Sequence, residues 1–178
     1  FIGSYAVVTA ENGKVKTHVV EGTETLDRKT PEDFKIEPPE PITEHLGVDR
    51  WYFRDSNWHP DFGESAKKAI ELYKGEGGLL ADEIDMVIAI TPTVIERLLE
   101  LIGPVSVNGL TFNSENITEK LEYEVEYGYR DKGISFENRK GILKPFMTTL
   151  LRKIKSEMFS DYDTYIKLFS TLASEKHI

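Results

Sequence analysis

Residues 82–103 read DEIDMVIAITPTVIERLLELIG, and this stretch carries the strongest folding signal in the sequence. The run MVIAI at 86–90 is apolar on both alternating sides, as in a strand that is covered above and below. Pro92 lacks an amide proton but suits the first turn of a helix, and Thr91 before it is a favoured N-cap. Apolar residues then recur every three or four positions until Gly103 ends the helix. The stretch therefore predicts a central strand–helix unit in the core of a globular domain.

Composition limits the classes of function. The chain has 178 residues, 39% of them hydrophobic, which is enough for one domain with its own core. It contains no cysteine, which excludes disulfides, thiolate metal sites and a cysteine nucleophile, and favours a reducing, cytoplasmic location. No cofactor is predicted. No apolar run approaches the ~20 residues of a membrane-spanning helix, so we expect a soluble protein that does not enter a membrane.

Charge narrows the choice of partners. The formal net charge of −9 makes this an acidic protein and disfavours nucleic acid or an anionic membrane as a partner. Charged residues make up 30% of the chain, a content that is typical of thermophilic proteins. A protein partner or a homo-oligomer is therefore the expected kind of interaction.

The N-terminal part predicts a β-hairpin. Two β-rich segments, 4–10 and 14–20, flank the dipeptide Asn12-Gly13, and Asn-Gly is the strongest short-range hairpin signal. Residues 22–41 follow with four of the eight prolines and little periodicity. We expect this segment to be a long Pro-rich surface connection; the alternative is an arm that binds a partner.

Alternating elements are predicted in the middle of the chain. Residues 42–46 suit a short helix that ends at Gly47, and 48–54 suit a strand. An amphipathic helix follows over 64–74, ended by a group of glycines.

Beyond residue 104 the pattern becomes that of a β-meander. Residues 105–112 predict one strand, and a further strand is expected at Ile134 and Phe136. Between them, 121–129 alternates strictly between apolar residues and the acidic row Glu122, Glu124 and Glu126. The acidic row is expected to lie on the exposed face of the sheet, where charge discourages edge-to-edge pairing.

Two helices are predicted at the C-terminus. Pro145 suits the start of the first helix, in which apolar residues recur every fourth position at Phe146, Leu150, Ile154 and Met158. Ser160-Asp161-Tyr162-Asp163 predicts a capping box that opens the second helix.

These elements define the predicted fold class, α+β. We expect a mixed or mostly antiparallel sheet of about five to seven strands, with an N-terminal hairpin, a central strand–helix unit, a β-meander and a C-terminal helical pair. Residues 1–138 are predicted to form the α+β core domain. Residues 139–178 are predicted to form a helical segment packed on that core.

The best candidate for a ligand site is the segment 51–64. It leads from a predicted strand into a predicted helix, the position where α/β folds place ligands. The residues expected to line a ligand site there are Trp51, Asp55, Trp58 and His59.

The same segment contains the candidate catalytic residues. His59, Asp61 and Glu64 offer an imidazole and two carboxylates, which suit either a metal site or a general base oriented by Asp61. The alternative is structural, with Asp61 as a helix N-cap and with Trp58 and Phe62 in the core. No metal is predicted outright.

A basic patch is the second candidate site. No acidic residue interrupts 139–155, although the chain as a whole is acidic, and clustered bases favour phosphates or an acidic partner. The alternative is a solvated helix face that pairs with glutamates of the meander. The residues of this basic patch are Arg139, Lys140, Lys144, Arg152, Lys153 and Lys155.

One local resemblance involves the sequence GESAKKAIELYKGEGGLLADEIDMVIAITPT at 63–93. It resembles the early helix-and-strand segment of ketoacyl synthase III-type thiolase-fold enzymes, over roughly a sixth of the chain. Those enzymes need an active-site cysteine and this chain has none, so no residue role is carried over.

The function expected from the sequence is that of a soluble, non-catalytic binding or assembly module within a protein complex. No strong catalytic motif occurs, and the Pro-rich connection and the separate acidic and basic segments suit an interaction protein. The alternative is a metal-dependent or acid/base hydrolase that acts through 51–64.

Overall fold

The computed structural model describes residues 1–158 and 161–178. The chain divides into two compact units, residues 1–87 and residues 88–178. The domain boundary predicted at 138/139 stays a prediction. No helix among the described residues is long and apolar enough to cross a membrane.

The first unit begins with a β-hairpin. The strands pair antiparallel, and Asn12 and Gly13 connect them with positive φ angles of 50° and 73°, as the Asn-Gly signal predicts. Its regular elements, in chain order, are β1 (Ser4–Glu11), β2 (Lys14–Gly22), α1 (Thr23–Asp27), α2 (Glu40–Leu46), a 3₁₀ helix (Phe53–Trp58), α3 (Phe62–Gly75) and a short 3₁₀ helix (Ala81–Glu83).

Three predictions for the first unit are confirmed in outline. The hairpin forms, α2 ends at Gly47, and α3 covers the helix predicted at 64–74. The Pro-rich connection 22–41 is shorter than predicted, because its first part folds into α1.

The strand predicted over 48–54 is wrong. Trp51 N donates to Ile36 O at 2.7 Å, and Phe53 N donates to the Glu76 carboxylate at 2.7 Å, so these amides are satisfied outside any ladder. The chain then enters the 3₁₀ helix Phe53–Trp58.

An aromatic cluster holds the core of the first unit. The rings of Tyr5, Phe53 and Tyr73 lie with centroids 5.4–5.6 Å apart, mostly edge to face, which is the favoured arrangement of aromatic pairs. The buried apolar residues around these rings are Val7, Leu26, Ala69 and Leu72. The hairpin, α1 and α3 are thereby joined in one core.

The second unit is mainly helical. Its elements are α4 (Pro92–Ile102), β3 (Val105–Val107), β4 (Leu110–Phe112), α5 (Ile117–Tyr123), a π-helical turn (Glu124–Gly128), α6 (Tyr129–Asp131), a 3₁₀ helix (Phe136–Ile142), α7 (Leu143–Met158) and α8 (Tyr162–Ser174). The core is almost wholly apolar, and the Phe112 and Phe146 rings meet edge to face at its centre with centroids 5.3 Å apart. Tyr165 and Leu172 place α8 in the same core.

The predicted C-terminal helices are confirmed as α7 and α8. Ser160 of the predicted capping box lies outside the described residues. At the start of α8, Asp161 Oδ1 accepts a hydrogen bond from Thr164 N at 3.4 Å. The helix predicted after Thr91 is confirmed as α4, but the Thr91 hydroxyl does not cap it and lies 2.9 Å from His177 Nδ1 instead.

The buried strand predicted at 86–90 is wrong. The segment forms no ladder in the described part of the chain, and Met86 and Ile88 are 72% and 66% exposed. A buried strand needs neighbours on both edges, and the described residues provide none at this position.

The predicted meander is replaced by one hairpin and a helical segment. Residues 105–112 are split into β3 and β4 by a turn at Asn108 and Gly109, which have positive φ angles of 52° and 78°. Residues 121–129 are helical, because Leu121, Val125 and Tyr129 recur at a spacing of four and turn to the same side. Ile134 and Phe136 belong to a loop and a 3₁₀ helix.

The α+β fold class is confirmed, with antiparallel pairing, an N-terminal hairpin and C-terminal helices. The single sheet of about five to seven strands is not formed by the described residues, where four strands pair into two separate two-stranded sheets.

Candidate functional site

The candidate catalytic residues lie at the N-terminal end of α3. His59 Nδ1 accepts a hydrogen bond from Asp61 N at 3.0 Å, and Asp61 Oδ1 accepts one from Glu64 N at 3.1 Å. Glu64 forms an exposed ion pair with Lys67 at 2.7 Å. Asp61 is therefore the N-cap of α3, and all three side chains contribute to the exposed start of this helix.

The ligand-binding candidates are divided between the inside and the outside of the first unit. Asp55 is buried, and Trp51 Nε1 donates to its carbonyl oxygen at 3.0 Å. Lys68 Nζ lies 4.7 Å from the centre of the Trp51 ring, so α3 covers this indole. Trp58 and His59 are exposed. The four residues therefore do not face one pocket.

Two large aromatic residues face solvent at this helix start. Trp58 is 49% exposed and Phe62 is 53% exposed, so the expectation that they lie in the core is wrong. The aromatic cluster already fills the core on the inner side of the 3₁₀ helix and α3, which leaves these two rings outside. Among the described residues, no group of three or more His, Asp or Glu side chains is arranged to hold a metal ion.

A cluster of buried carboxyl groups lies behind the exposed surface. Asp27 from α1, Asp55 from the 3₁₀ helix and Glu76 after α3 are each less than 10% exposed. Arg54 contacts two of these carboxylates. Its Nη1 atom lies 3.5 Å from Asp27 Oδ2, and its Nε atom lies 3.5 Å from Asp55 Oδ2. Glu76 Oε1 accepts the hydrogen bond from Phe53 N. Two of the three carboxyl groups thus share one guanidinium, and the third accepts a backbone amide.

This cluster retains a proton near neutral pH. Burial, reinforced by the Asp27 charge, raises the pKa of Glu76 from 4.5 to about 8. Burial also raises the pKa of Asp27 to about 6, although its hydrogen bond with Glu76 and the Arg54 charge act in the opposite direction. Burial raises the pKa of Asp55, opposed by Arg54. A proton on Glu76 lets the Asp27 and Glu76 carboxyls share a hydrogen bond, so the cluster stores a proton inside the unit.

Of these three carboxyl groups, the sequence predicts only Asp55 as a site residue, and not Asp27 or Glu76. They come from separate elements, far apart in the chain, and Glu76 lies between glycines that only indicate the end of a helix. No sequence spacing indicates that these carboxyls meet.

The basic patch is only partly continuous. Lys144, Arg152 and Lys155 are exposed on α7. Lys153 is half-buried, and its Nζ donates to Pro104 O at 3.0 Å. Arg139 and Lys140 lie on the preceding 3₁₀ helix. The Arg139 guanidinium is 4.1 Å from the centre of the Phe136 ring.

The acidic row does not form one exposed face. Glu122 is exposed, whereas Glu124 is buried and pairs with Lys132. Glu126 Oε1 lies 3.8 Å from Arg139 Nε, so an acid of the row and a base of the patch meet within the second unit. A helical backbone sends alternate residues in different directions, which divides a row that a strand would align.

The sequence matches the family described as "Protein of unknown function (DUF4012)" over residues 1–126, and the chain belongs to this family. No curated protein and no solved structure matches the chain.

Proposed function

We propose that this chain is a soluble, cytoplasmic, non-catalytic module that binds a protein partner or assembles with copies of itself. The observation that carries the proposal is the exposure of Trp58 and Phe62 at the start of α3. Aromatic side chains are enriched at protein interfaces, where their burial supplies much of the binding free energy. The absence of cysteine supports a reducing compartment, and the charge-rich composition supports a thermophilic source.

The exposed aromatic rings lie beside polar groups that suit an interface. His59 and Asp61 border the two rings in sequence, and both are exposed. Their hydrogen bonds fix the backbone between Trp58 and Phe62, so little conformational freedom is lost there on binding. A rigid aromatic surface with a polar rim is the usual anatomy of a protein interface.

The hydrolase alternative has less support from the geometry. Catalysis by His59 requires the imidazole to be held as a base beside a concave site. Instead, its Nδ1 atom accepts a hydrogen bond from the Asp61 amide, and the side chain lies on the surface. Nucleic acid is an unlikely partner for a chain with a net charge of −9, except through the exposed bases of α7.

A comparative pull-down tests the proposal. The tagged wild-type chain is compared with the double variant Trp58→Ser/Phe62→Ser and with the control Tyr127→Ser/Phe136→Ser, which removes two aromatic rings of similar exposure from the second unit. We expect at least one other protein to be retained by the wild type and the control and lost from the first variant. Equal recovery by all three would contradict a role for these rings, and a hydrolytic activity abolished by His59→Ala would favour the alternative.

A further inference from the structure

The segment 84–90 has an unpaired backbone. It contains neither a helix nor a turn. Its first residue, Ile84, is extended, with φ −77° and ψ 109°, and so is Thr91 directly after it, with φ −90° and ψ 163°. Within the described part of the chain, none of its amide or carbonyl groups takes part in a backbone hydrogen bond. The segment therefore has the hydrogen-bonding capacity of a strand without a neighbour.

Three large apolar side chains of this segment are exposed at alternate positions. Met86, Ile88 and Ile90 are 72%, 66% and 50% exposed; of the residues between them, Val87 is half-buried and Ala89 is exposed. Successive side chains of a strand point to opposite faces, so the three large residues form one apolar row. An exposed apolar strand edge is a template for pairing with another chain.

The row is complementary to itself in the antiparallel direction. A two-fold axis at Ile88 places Met86 of one copy opposite Ile90 of the other and Ile88 opposite itself. Each apolar residue then meets an apolar residue, and the same surface is used by both copies, as closed two-fold assemblies require.

The charges around the segment also favour antiparallel over parallel pairing of the two copies. The acidic residues Asp82, Glu83 and Asp85 precede the row, and α4 follows it with no acidic residue in its first turn. Antiparallel pairing brings Asp85 opposite Thr91, at the positive end of α4 in the other copy. Parallel pairing would instead place Asp85 directly opposite Asp85, which is destabilising.

We propose that the segment 84–90 pairs with the same segment of a second copy as an antiparallel β-strand, with Ile88 on the two-fold axis. This inference rests on the proposed function, because it specifies self-assembly as one mode of the binding module. It assigns the interaction to a surface that is separate in sequence from Trp58 and Phe62.

The absence of cysteine allows a direct test of the register. Ile88→Cys introduces a single thiol, and opposed residues of antiparallel strands have Cα atoms about 4.5–5.5 Å apart, within the range of a disulfide. Val15→Cys is the matched control, since Val15 is also 66% exposed. Under mild oxidation at equal protein concentration we expect Ile88→Cys to form the covalent dimer at least roughly tenfold faster than Val15→Cys, because pairing raises the effective thiol concentration.

Mixed variants distinguish the two directions. A mixture of Met86→Cys and Ile90→Cys should cross-link between the two variants faster than either variant cross-links with itself. Faster self-linkage of each variant would indicate parallel pairing and overturn the proposal. Equal rates for Ile88→Cys and Val15→Cys would overturn it as well, while the pull-down with the Trp58 and Phe62 variant would still report on the proposed function.

Discussion

The two units of this chain are stabilised in different ways. The first unit places three carboxyl groups and one guanidinium beside an aromatic core. The second unit is built on a core of apolar residues, and Glu124, a buried carboxylate of that unit, has Lys132 as its partner. Burying a charge is unfavourable unless it is paired or neutralised, whereas burying apolar surface is favourable at any pH. Protonation should therefore control the stability of the first unit, and apolar packing that of the second.

The largest effect is expected from a cavity in the second unit. Phe112 is fully buried and contacts Phe146, so Phe112→Ala should lower the free energy of unfolding by about 3–5 kcal/mol. Chemical denaturation followed by circular dichroism measures the loss. Phe136→Ala is the control, because Phe136 is an exposed ring of the same unit and its removal should have a much smaller effect. Equal losses for the two variants would mean that Phe112 is not at the centre of the core.

The next largest effect is the dependence of the first unit's stability on pH. The pKa of Glu76 in the folded chain, about 8, exceeds its ordinary value of 4.5. The stabilisation associated with its proton is therefore complete below pH 4.5 and is lost as the pH rises through about 8. At about 1.4 kcal/mol for each pKa unit, we expect the first unit to lose roughly 2–4 kcal/mol between mildly acidic and alkaline pH.

The substitution Glu76→Gln isolates this effect. The amide keeps an acceptor for Phe53 N and a donor for Asp27 but does not ionise, so the loss of stability around pH 8 should disappear, while the contributions of Asp27 and Asp55 at lower pH remain. Both tryptophans, Trp51 and Trp58, lie in the first unit, and their fluorescence follows its unfolding alone. Glu71→Gln, an exposed position of α3, is the control and should leave the wild-type slope unchanged. A wild-type chain with no loss of stability towards alkaline pH would contradict the proton stored by the cluster.

Local signals in the sequence predict several element boundaries correctly. Asn12-Gly13, Gly47, Pro92 and Gly103 each mark a boundary through a constraint on their own backbone, and each boundary is observed. Such constraints act within a few residues and need no knowledge of the rest of the fold.

Two of the wrongly predicted strands differ from the structure for different physical reasons. Residues 121–129 carry both a period of two and a period near four. The observed helical form follows the period of four: Leu121 packs against the core of the second unit, and Val125 and Tyr129 are buried. Residues 86–90 have the composition of a strand, but a strand also requires a partner, and the described residues provide none. Composition alone does not distinguish these outcomes.

The hairpin at Asn108-Gly109 was predictable from the sequence. The same dipeptide signal correctly located the first hairpin, yet 105–112 was interpreted as one strand. The candidate site was only partly predictable: Asp61 and its capping role follow from local sequence, whereas the meeting of Asp27, Asp55 and Glu76 depends on packing between separate elements.

A smaller effect is expected from the loss of a helix N-cap, which can be compared between the two units. Asp61 Oδ1 accepts from Glu64 N at 3.1 Å, and Asp61→Ala should destabilise the first unit by about 1 kcal/mol. Asp61→Asn keeps an acceptor and should be nearly neutral. Asp161→Ala in the second unit should have a smaller effect, since its contact with Thr164 N is longer, at 3.4 Å. Equal losses from Asp61→Ala and Asp61→Asn in denaturant titrations would show that charge, rather than the hydrogen bond, stabilises the start of α3.

The smallest effect on folding is expected at Ile88, within the stretch that carries the strongest folding signal. If 86–90 were a buried strand, Ile88→Asp would place an unpaired charge in the core and unfold the protein. Ile88 is exposed, so the free energy of unfolding should change by less than about 0.5 kcal/mol at a protein concentration too low for self-association.

Leu98→Asp, at a buried position of α4, is the contrasting variant and should prevent the second unit from folding. Thermal unfolding of the two variants measures the difference, and an Ile88→Asp chain as unstable as Leu98→Asp would show that the segment is buried in solution. An Ile88→Asp chain that folds normally but no longer self-associates at high concentration would separate the two roles of this segment, since its apolar row would then serve pairing between copies rather than the core.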